Sequence, residues 1–337
     1  MKHFLQNSYQ FLQAGADCSD CMLCPQKLYL DITQDCNLHC VMCREVPSIV
    51  GKTMPLELFE RLVDETAPYV RSYSLFNWGE PLLVQDFRER VLYVNAKKRP
   101  DCNVEISTNG MLLDERMIAF LAEQEVEVII SVDGANKADF ERIRRGGRFE
   151  RIMLNAQKAA AAYHHSPPLR SPEFYISIQK ENQCRILDIA QLACALGIRR
   201  IGCGLVVSPI QYAADQTEDL CRELECAYRF IHENNMLLDV YPTKVGNWVF
   251  VDGAYQNVSG YLVSTMCHAP LVSAAVSYSG DVYLCCNKGA AVGNILHGSF
   301  LELWKSEAYQ ELRRIVNDPV QMPQPCRSCP WFNRNGR

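Results

Sequence analysis

Nowhere in this chain does an apolar run approach the ~20 residues that span a bilayer. The opening Met1-Lys2-His3-Phe4-Leu5-Gln6-Asn7 turns polar too soon for a secretory signal. Membrane insertion and export are therefore not expected, and the cytoplasm is. Positive charge is not in excess either: 34 Lys and Arg stand against 39 Asp and Glu, a formal charge of -5 with pI near 5.9. That balance argues against a nucleic-acid binder that works by phosphate neutralisation. Internal repeats and low-complexity tracts are lacking too. The most informative shortage is local: three cysteines near residue 40 have no fourth beside them.

Cysteine itself is abundant, with 17 in 337 residues, in a composition that is 48% hydrophobic and 22% charged, as in a soluble globular protein. In a reducing compartment such cysteines read as metal ligands rather than disulfides. Eleven of them fall into three groups, Cys18, Cys21 and Cys24; Cys36, Cys40 and Cys43; and Cys267, Cys285, Cys286, Cys326 and Cys329; six others are scattered.

The second group follows a strand-like run, Leu28-Tyr29-Leu30-Asp31-Ile32-Thr33, so its thiols gather on one loop at a strand's C-terminal end. Three soft thiolates suit an iron–sulfur cluster or zinc. The next cysteine, Cys102, lies 59 residues beyond Cys43. A four-iron cluster held here keeps one iron open to a reactant, whereas a zinc knuckle needs a further ligand.

Strands are expected at 27–33, 73–77, 104–108, 126–132, 174–178 and 200–207, and helices at 55–67, 85–95, 114–123, 149–162, 183–196 and 218–234. Strand–helix alternation of this kind demands a parallel sheet with helices outside, curved by right-handed crossovers into a full or partial barrel. Chemistry in such barrels sits on loops after the strands' C-terminal ends. The expected division is a cysteine-bearing extension (1–25), the barrel (26–236), a linker (237–262) and a small C-terminal unit (263–337).

Cys-x3-Cys-x2-Cys after a first strand, with Asn37 behind the first cysteine, resembles the signature of the radical S-adenosylmethionine (SAM) enzymes. The resemblance implies an open (β/α)6 partial TIM-like barrel and a [4Fe-4S] cluster whose free iron binds SAM. It also implies reductive cleavage to a 5′-deoxyadenosyl radical, with an external one-electron reductant of flavodoxin or ferredoxin type. Gly79-Glu80, after the second strand, is similar to the family motif that holds the SAM amino group, with Trp78 in place of the usual glycine. Ser107-Thr108-Asn109 and Ser131-Val132-Asp133 resemble positions that contact SAM, Met42 stands where an aromatic residue usually lies near adenine, and Arg144 suits a carboxylate. Read without the resemblance, each is also ordinary turn or surface chemistry.

In the C-terminal unit, Cys267, Cys285 or Cys286, Cys326 and Cys329 can close a metal site with no vacancy. Gly280-x4-Cys285, Gly293-Asn294-Ile295, the Trp304-bearing helix expected at 300–316 and the terminal Cys-x2-Cys resemble the SPASM and shorter twitch domains, and the twitch form is the better match because the further cysteines of a second auxiliary cluster are absent. The cysteine spacing is close to the butirosin-type aminocyclitol dehydrogenases. The resemblance implies one auxiliary [4Fe-4S] cluster, with Cys285 as the family-spaced ligand; zinc is the alternative. Cys18, Cys21 and Cys24 make a third metal site or cap the barrel as plain thiols.

Peptide-modifying relatives usually carry a leader-binding domain before the barrel, and only 35 residues precede Cys36. A small molecule such as a sugar or aminocyclitol, dehydrogenated through the auxiliary cluster, is accordingly the expected substrate. A peptide maturase or epimerase is the alternative, with Cys203 as hydrogen donor if it faces the barrel interior and as core packing if it does not. A non-catalytic metal-binding or electron-carrier protein is the reading from another class.

Overall fold

The computed structural model describes residues 24–43, 51–206, 210–242, 244–257, 267, 269–286, 291–318 and 320–327. Strands β1 (Lys27–Leu30), β2 (Ser72–Ser74), β3 (Asn103–Thr108), β4 (Glu127–Ser131), β5 (Glu173–Ile178), β6 (Arg200–Leu205) and β7 (Leu237–Leu238) run parallel. Between them lie α1 (Leu56–Thr66), α2 (Phe87–Lys97), α3 (Glu115–Glu123), α4 (Lys137–Ile143), α5 (Phe149–Ala162), α6 (Ile186–Ala195) and α7 (Glu218–Glu233). The sheet is mixed and open, the arrangement of a partial barrel. Its order is β13-β12-β11-β1-β2-β3-β4-β5-β6-β7, where β11 (Ser273–Val276), β12 (Asp281–Tyr283) and β13 (Ala291–Asn294) come from the C-terminal part.

Helix starts follow side-chain capping. Asp114 accepts from Met117 N at 2.8 Å to open α3, and Asn136 accepts from Asp139 N at 3.0 Å to open α4, a short helix the apolar periodicity did not signal. The helix expected at 300–316 is instead two, α9 (Phe300–Lys305) and α10 (Glu307–Ile315), after a short α8 (Ala269–Val272). Ser306 divides them: its extended backbone ends α9, and its hydroxyl accepts from Tyr309 N at 3.3 Å to start α10. A last short helix is α11 (Gln324–Arg327).

Two further findings differ from expectation. Residues in the expected linker fold into a three-stranded sheet of β8 (Lys244–Val245), β9 (Trp248–Val251) and β10 (Ala254–Asn257). Aromatic packing explains it: Tyr241, Phe250 and Tyr255 cluster with Tyr228 of α7, and Glu225 on the same helix accepts from Tyr255 N at 2.6 Å. The C-terminal hairpin is not detached either. Strand β11 pairs in parallel with β1, and Arg61 of α1 donates to the carbonyls of Ile295 and Leu296 at 2.6 and 2.9 Å.

Register sorts the side chains of the parallel strands onto two faces. Leu28, Leu30, Tyr73, Val104, Ile106, Val128, Ile130, Phe174, Ile176 and Ile201 are buried against the helices. The other face, the inner one, carries Lys27, Tyr29, Ser72, Ser74, Glu105, Ser107, Ser131, Glu173, Tyr175 and Arg200, aligned strand to strand by the pairings Lys27↔Ser72, Ser74↔Glu105, Ser131↔Tyr175 and Glu173↔Arg200.

Candidate active site

The loop after β1 carries Cys36, Cys40 and Cys43 and is fixed by its own backbone. His39 N donates to Arg145 O at 2.8 Å, Val41 N to Ile143 O at 2.9 Å, and Cys43 N to Cys40 O at 3.1 Å. Upstream, the Asp35 carboxylate accepts from Gly51 N and Lys52 N at 2.9 and 3.2 Å. The loop is therefore strapped on one side by the segment after α4 and on the other by residues 51 and 52.

Polar side chains then close on the thiols. Arg144 Nη1 lies 3.9 Å from Cys40 Sγ while its Nε pairs with Asp133 Oδ2 at 2.7 Å. Asp133 is wholly buried and also accepts from Ser177 N at 2.7 Å. Asn109 Nδ2 donates to Asn37 Oδ1 at 2.7 Å and reaches Cys36 Sγ at 4.0 Å. Burial pushes the Cys40 thiol up to about 11 against the pull of Arg144, and raises that of Cys36.

Donors aimed at two sulfur atoms suit thiolates or cluster sulfurs as acceptors. Among the described residues no three His, Cys, Asp or Glu side chains converge tightly enough to share one metal ion, although Cys36, Cys40 and Cys43 feel one another's charge. Three thiolates on one loop, with side-chain donors beside two of them, are what a polynuclear cluster takes from its protein. The residues present thus fit an iron–sulfur cluster.

Gly79 and Glu80 are packed onto the same loop. A Cβ on Gly79 would lie 2.2 Å from Thr33 O and 2.8 Å from Asp35 O, so only glycine allows this approach of two backbones. Glu80 N donates to Asp35 O at 2.8 Å. The Glu80 carboxylate, 1% exposed, accepts from Thr108 Oγ1 at 2.7 Å and Leu82 N at 3.2 Å through Oε1, and from Asn109 N at 2.7 Å through Oε2. Oε2 keeps a lone pair for one more donor. Burial pushes this acid up to about 7, opposed by the donors from Asn109, Thr108 and Leu82.

Of the residues singled out in the sequence, Cys36, Cys40, Cys43, Glu80, Thr108, Asn109, Asp133 and Arg144 are thus brought into one connected network. Ser107 and Ser131 lie on the inner face nearby, half-buried, and Met42 is half-buried on the loop. Cys203 is not part of it. Its strand partner is Ile176, on the helix-covered face, and it is 1% exposed in the apolar core. Gly202 and Gly204 take the inward positions of β6, so Cys203 is out of line for a substrate held against the inner face.

The thiols of the Cys285-Cys286 pair diverge: Cys285 interacts electrostatically with Tyr309, and Cys286 with Tyr29 and Tyr175 of the inner face. Cys267 is clamped to Asn317, its N donating to Oδ1 at 2.8 Å and its carbonyl accepting from Nδ2 at 3.1 Å. Cys326 sits on α11, while Cys329, Cys18 and Cys21 lie outside the described residues. Cys24 is 2% exposed in the core, where burial drives its thiol far above the ordinary range.

A buried ionic layer, marked by no sequence motif, lies below the site. At the N-terminal ends of the strands Lys27 pairs with Glu105 at 2.6 Å, and Arg200 contacts Glu127, Glu173 and Asp239 at 3.1, 3.0 and 2.8 Å. This ionic layer fills the barrel at the end opposite the cysteine loop. Its signal was visible as charges recurring at alternate positions in apolar strands.

Comparison with known proteins agrees with this geometry. Residues 30–193 match the family model of the radical SAM superfamily, and residues 267–330 match that of an iron–sulfur cluster-binding domain, SPASM. The chain is 28% identical over 328 residues to the mycofactocin maturase MftC of Mycolicibacterium smegmatis, covering 92% of this chain and 76% of that protein. It is 26% identical over 328 residues to an AdoMet-dependent heme synthase of Methanosarcina barkeri, covering 91% and 89%. Its fold is similar to that of Streptococcus suis SuiB bound to precursor peptide SuiA, with TM-score 0.68 at 15% identity over 96% of this chain and 76% of the other. No helix among the described residues is long and apolar enough to cross a membrane. The chain belongs to the radical SAM superfamily, with a SPASM iron–sulfur domain behind its barrel, and requires SAM, a [4Fe-4S] cluster and auxiliary iron–sulfur.

Proposed function

We propose that this enzyme is a maturase that modifies a peptide, and that a sugar or aminocyclitol is not its substrate. The observation that carries the reading is its likeness to the maturase MftC along 92% of the chain, barrel and SPASM domain together. Its fold likeness to a peptide-bound SuiB is compatible with it.

In this reading Cys36, Cys40 and Cys43 hold the cluster, and Cys267, Cys285, Cys326 and Cys329 hold the auxiliary one. When bound and reduced, the first cluster supplies the electron that splits SAM and releases the hydrogen-abstracting 5′-deoxyadenosyl radical. The chain's own residues position and exclude. Glu80 offers Oε2 to the SAM ammonium, with Gly79 fixing it to the cysteine loop. Asn109 and Arg144 orient the thiols, and Ser107 and Ser131 present hydroxyls on the inner face. The ionic layer of Arg200 and its three acids closes the far end, keeping water from the reactive side. Electrons enter from an external one-electron carrier of flavodoxin or ferredoxin type.

The test is isotopic. Reconstituted enzyme, SAM and dithionite are incubated with the peptide and small-molecule fractions, separated by ultrafiltration, of source cells grown in deuterated medium. Deuterium entering 5′-deoxyadenosine from the peptide fraction alone is expected. Transfer from the small-molecule fraction alone refutes the proposal. Cys36→Ala/Cys40→Ala/Cys43→Ala must abolish either signal.

A further inference from the structure

The C-terminal unit carries buried donors that the polypeptide leaves unanswered. Trp304 and Tyr309 are each 0% exposed, yet the indole Nε1 and the phenol oxygen have no hydrogen-bond partner among the described residues, and neither has Nη2 of Arg313. The three side chains are one stack: the two rings are 4.6 Å apart, and the guanidinium lies 4.0 Å over Trp304 and 4.2 Å over Tyr309. Cation–π contact of this kind steadies the cation without satisfying its N–H groups. An unanswered buried donor is destabilising, and a charged one more so. Folded proteins keep few such groups, and a group of three calls for a missing acceptor.

Position identifies that acceptor. Arg313 makes no ion pair with a carboxylate among the described residues; its Nε donates at 3.1 Å to the carbonyl of Pro270, three residues after Cys267. Tyr309 lies within electrostatic reach of Cys285. The stack therefore lies beside Cys285 and against the segment that follows Cys267, two of the cysteines assigned to the auxiliary site. An iron–sulfur cluster with cysteine thiolates is an anion with inorganic and cysteinyl sulfur on every side. It offers what this stack lacks: several acceptors and a counter-charge to one cation.

We propose that Trp304, Tyr309 and Arg313 donate hydrogen bonds to the sulfur atoms of the auxiliary cluster at Cys267 and Cys285 and thereby raise its reduction potential. One-electron reduction adds negative charge to the cluster, and donors aimed at its sulfurs favour the more negative form. These are positioning residues for electron transfer, and the proposal is independent of which substrate the barrel holds.

The experiment uses the full chain, anaerobically reconstituted, in the Cys36→Ala/Cys40→Ala/Cys43→Ala background so that only the auxiliary cluster is loaded. Its potential is measured by an EPR-monitored redox titration with Tyr309 and Arg313 intact, and in Tyr309→Phe and Arg313→Gln. Each loss of a donor is expected to shift the oxidised-to-reduced ratio about tenfold toward oxidised, ~59 mV for one electron, with iron content unchanged. Tyr309→Phe should leave the cluster-free protein at least as stable in urea, since its hydroxyl has no acceptor until the cluster arrives. A potential unmoved by Tyr309→Phe in iron-loaded protein overturns the proposal. So does a C-terminal site that takes zinc in place of iron, or a cluster-free protein destabilised by Tyr309→Phe. If Arg313→Gln does not fold, the Tyr309→Phe results decide.

Discussion

Gly79→Ala tests whether the two halves of the site are set by one backbone contact. The added methyl would sit 2.2 Å from Thr33 O and 2.8 Å from Asp35 O, in the first case roughly 1 Å or more inside ordinary van der Waals separation. The Thr33 oxygen, the nearer of the two, is not free to retreat. Gln34 N is bonded to Lys52 O at 2.9 Å, and Thr33 Oγ1 donates to the same carbonyl at 3.1 Å. Relief must then come from residues 78–80, which breaks the Glu80 N to Asp35 O bond. Overpacking costs about 1–3 kcal/mol and the lost hydrogen bond about 1, together ~2–4 kcal/mol. The displaced backbone belongs to Glu80 on one side and abuts Cys36 on the other, so iron loading and SAM binding should fall together. Urea denaturation of the cluster-free protein gives the first quantity; iron content and calorimetric SAM binding after reconstitution give the others. Stability within ~0.5 kcal/mol of the parent, with full iron and undiminished SAM affinity, would refute the reasoning.

Other perturbations follow from the same geometry. Because burial holds the Glu80 carboxyl at about 7 in place of 4.5, its contribution to cluster-free stability is present below pH 4.5 and lost as pH rises through 7. SAM binding through the ionised Glu80 carboxylate, as proposed, should run the other way and strengthen through that range; calorimetry on Glu80→Gln should show weak binding without this dependence. Asp133→Asn strands the buried Arg144 cation, so denaturation should show a loss of ~3–5 kcal/mol, and iron loading should drop because Arg144 also faces Cys40; a loss under ~1 kcal/mol would contradict the pairing. Arg200→Leu leaves Glu127, Glu173 and Asp239 uncompensated, at a comparable ~3–5 kcal/mol. Burial already raises Glu127 and Glu173, so these acids neutralise on acidification, and the urea-measured defect should be larger at pH 8 than at pH 5.

The sequence by itself determined the parallel strand–helix order, the cysteine loop at the end of β1 and the strand-end positions of Glu80, Asn109 and Asp133. These follow from local causes: hydrophobic periodicity, turn residues and ligand spacing act over a few neighbouring positions. The partial barrel and the superfamily were legible for that reason. Substrate class was not, because the length before Cys36 says nothing of a separate leader-binding partner. Tertiary structure decided the rest. It turned Cys203 toward the helices, since strand phase depends on which residue pairs with Ile176. It divided Cys285 from Cys286 through a bend after β12, and folded 244–257 around Tyr228, a contact between distant segments. It set Arg144 on Asp133 and Cys40, and assembled Arg200 with acids from three other places in the chain. Gly79 shows the difference in one residue: the sequence marks a glycine beside a carboxylate, and only the packed backbone of Thr33 and Asp35 says why no side chain fits there.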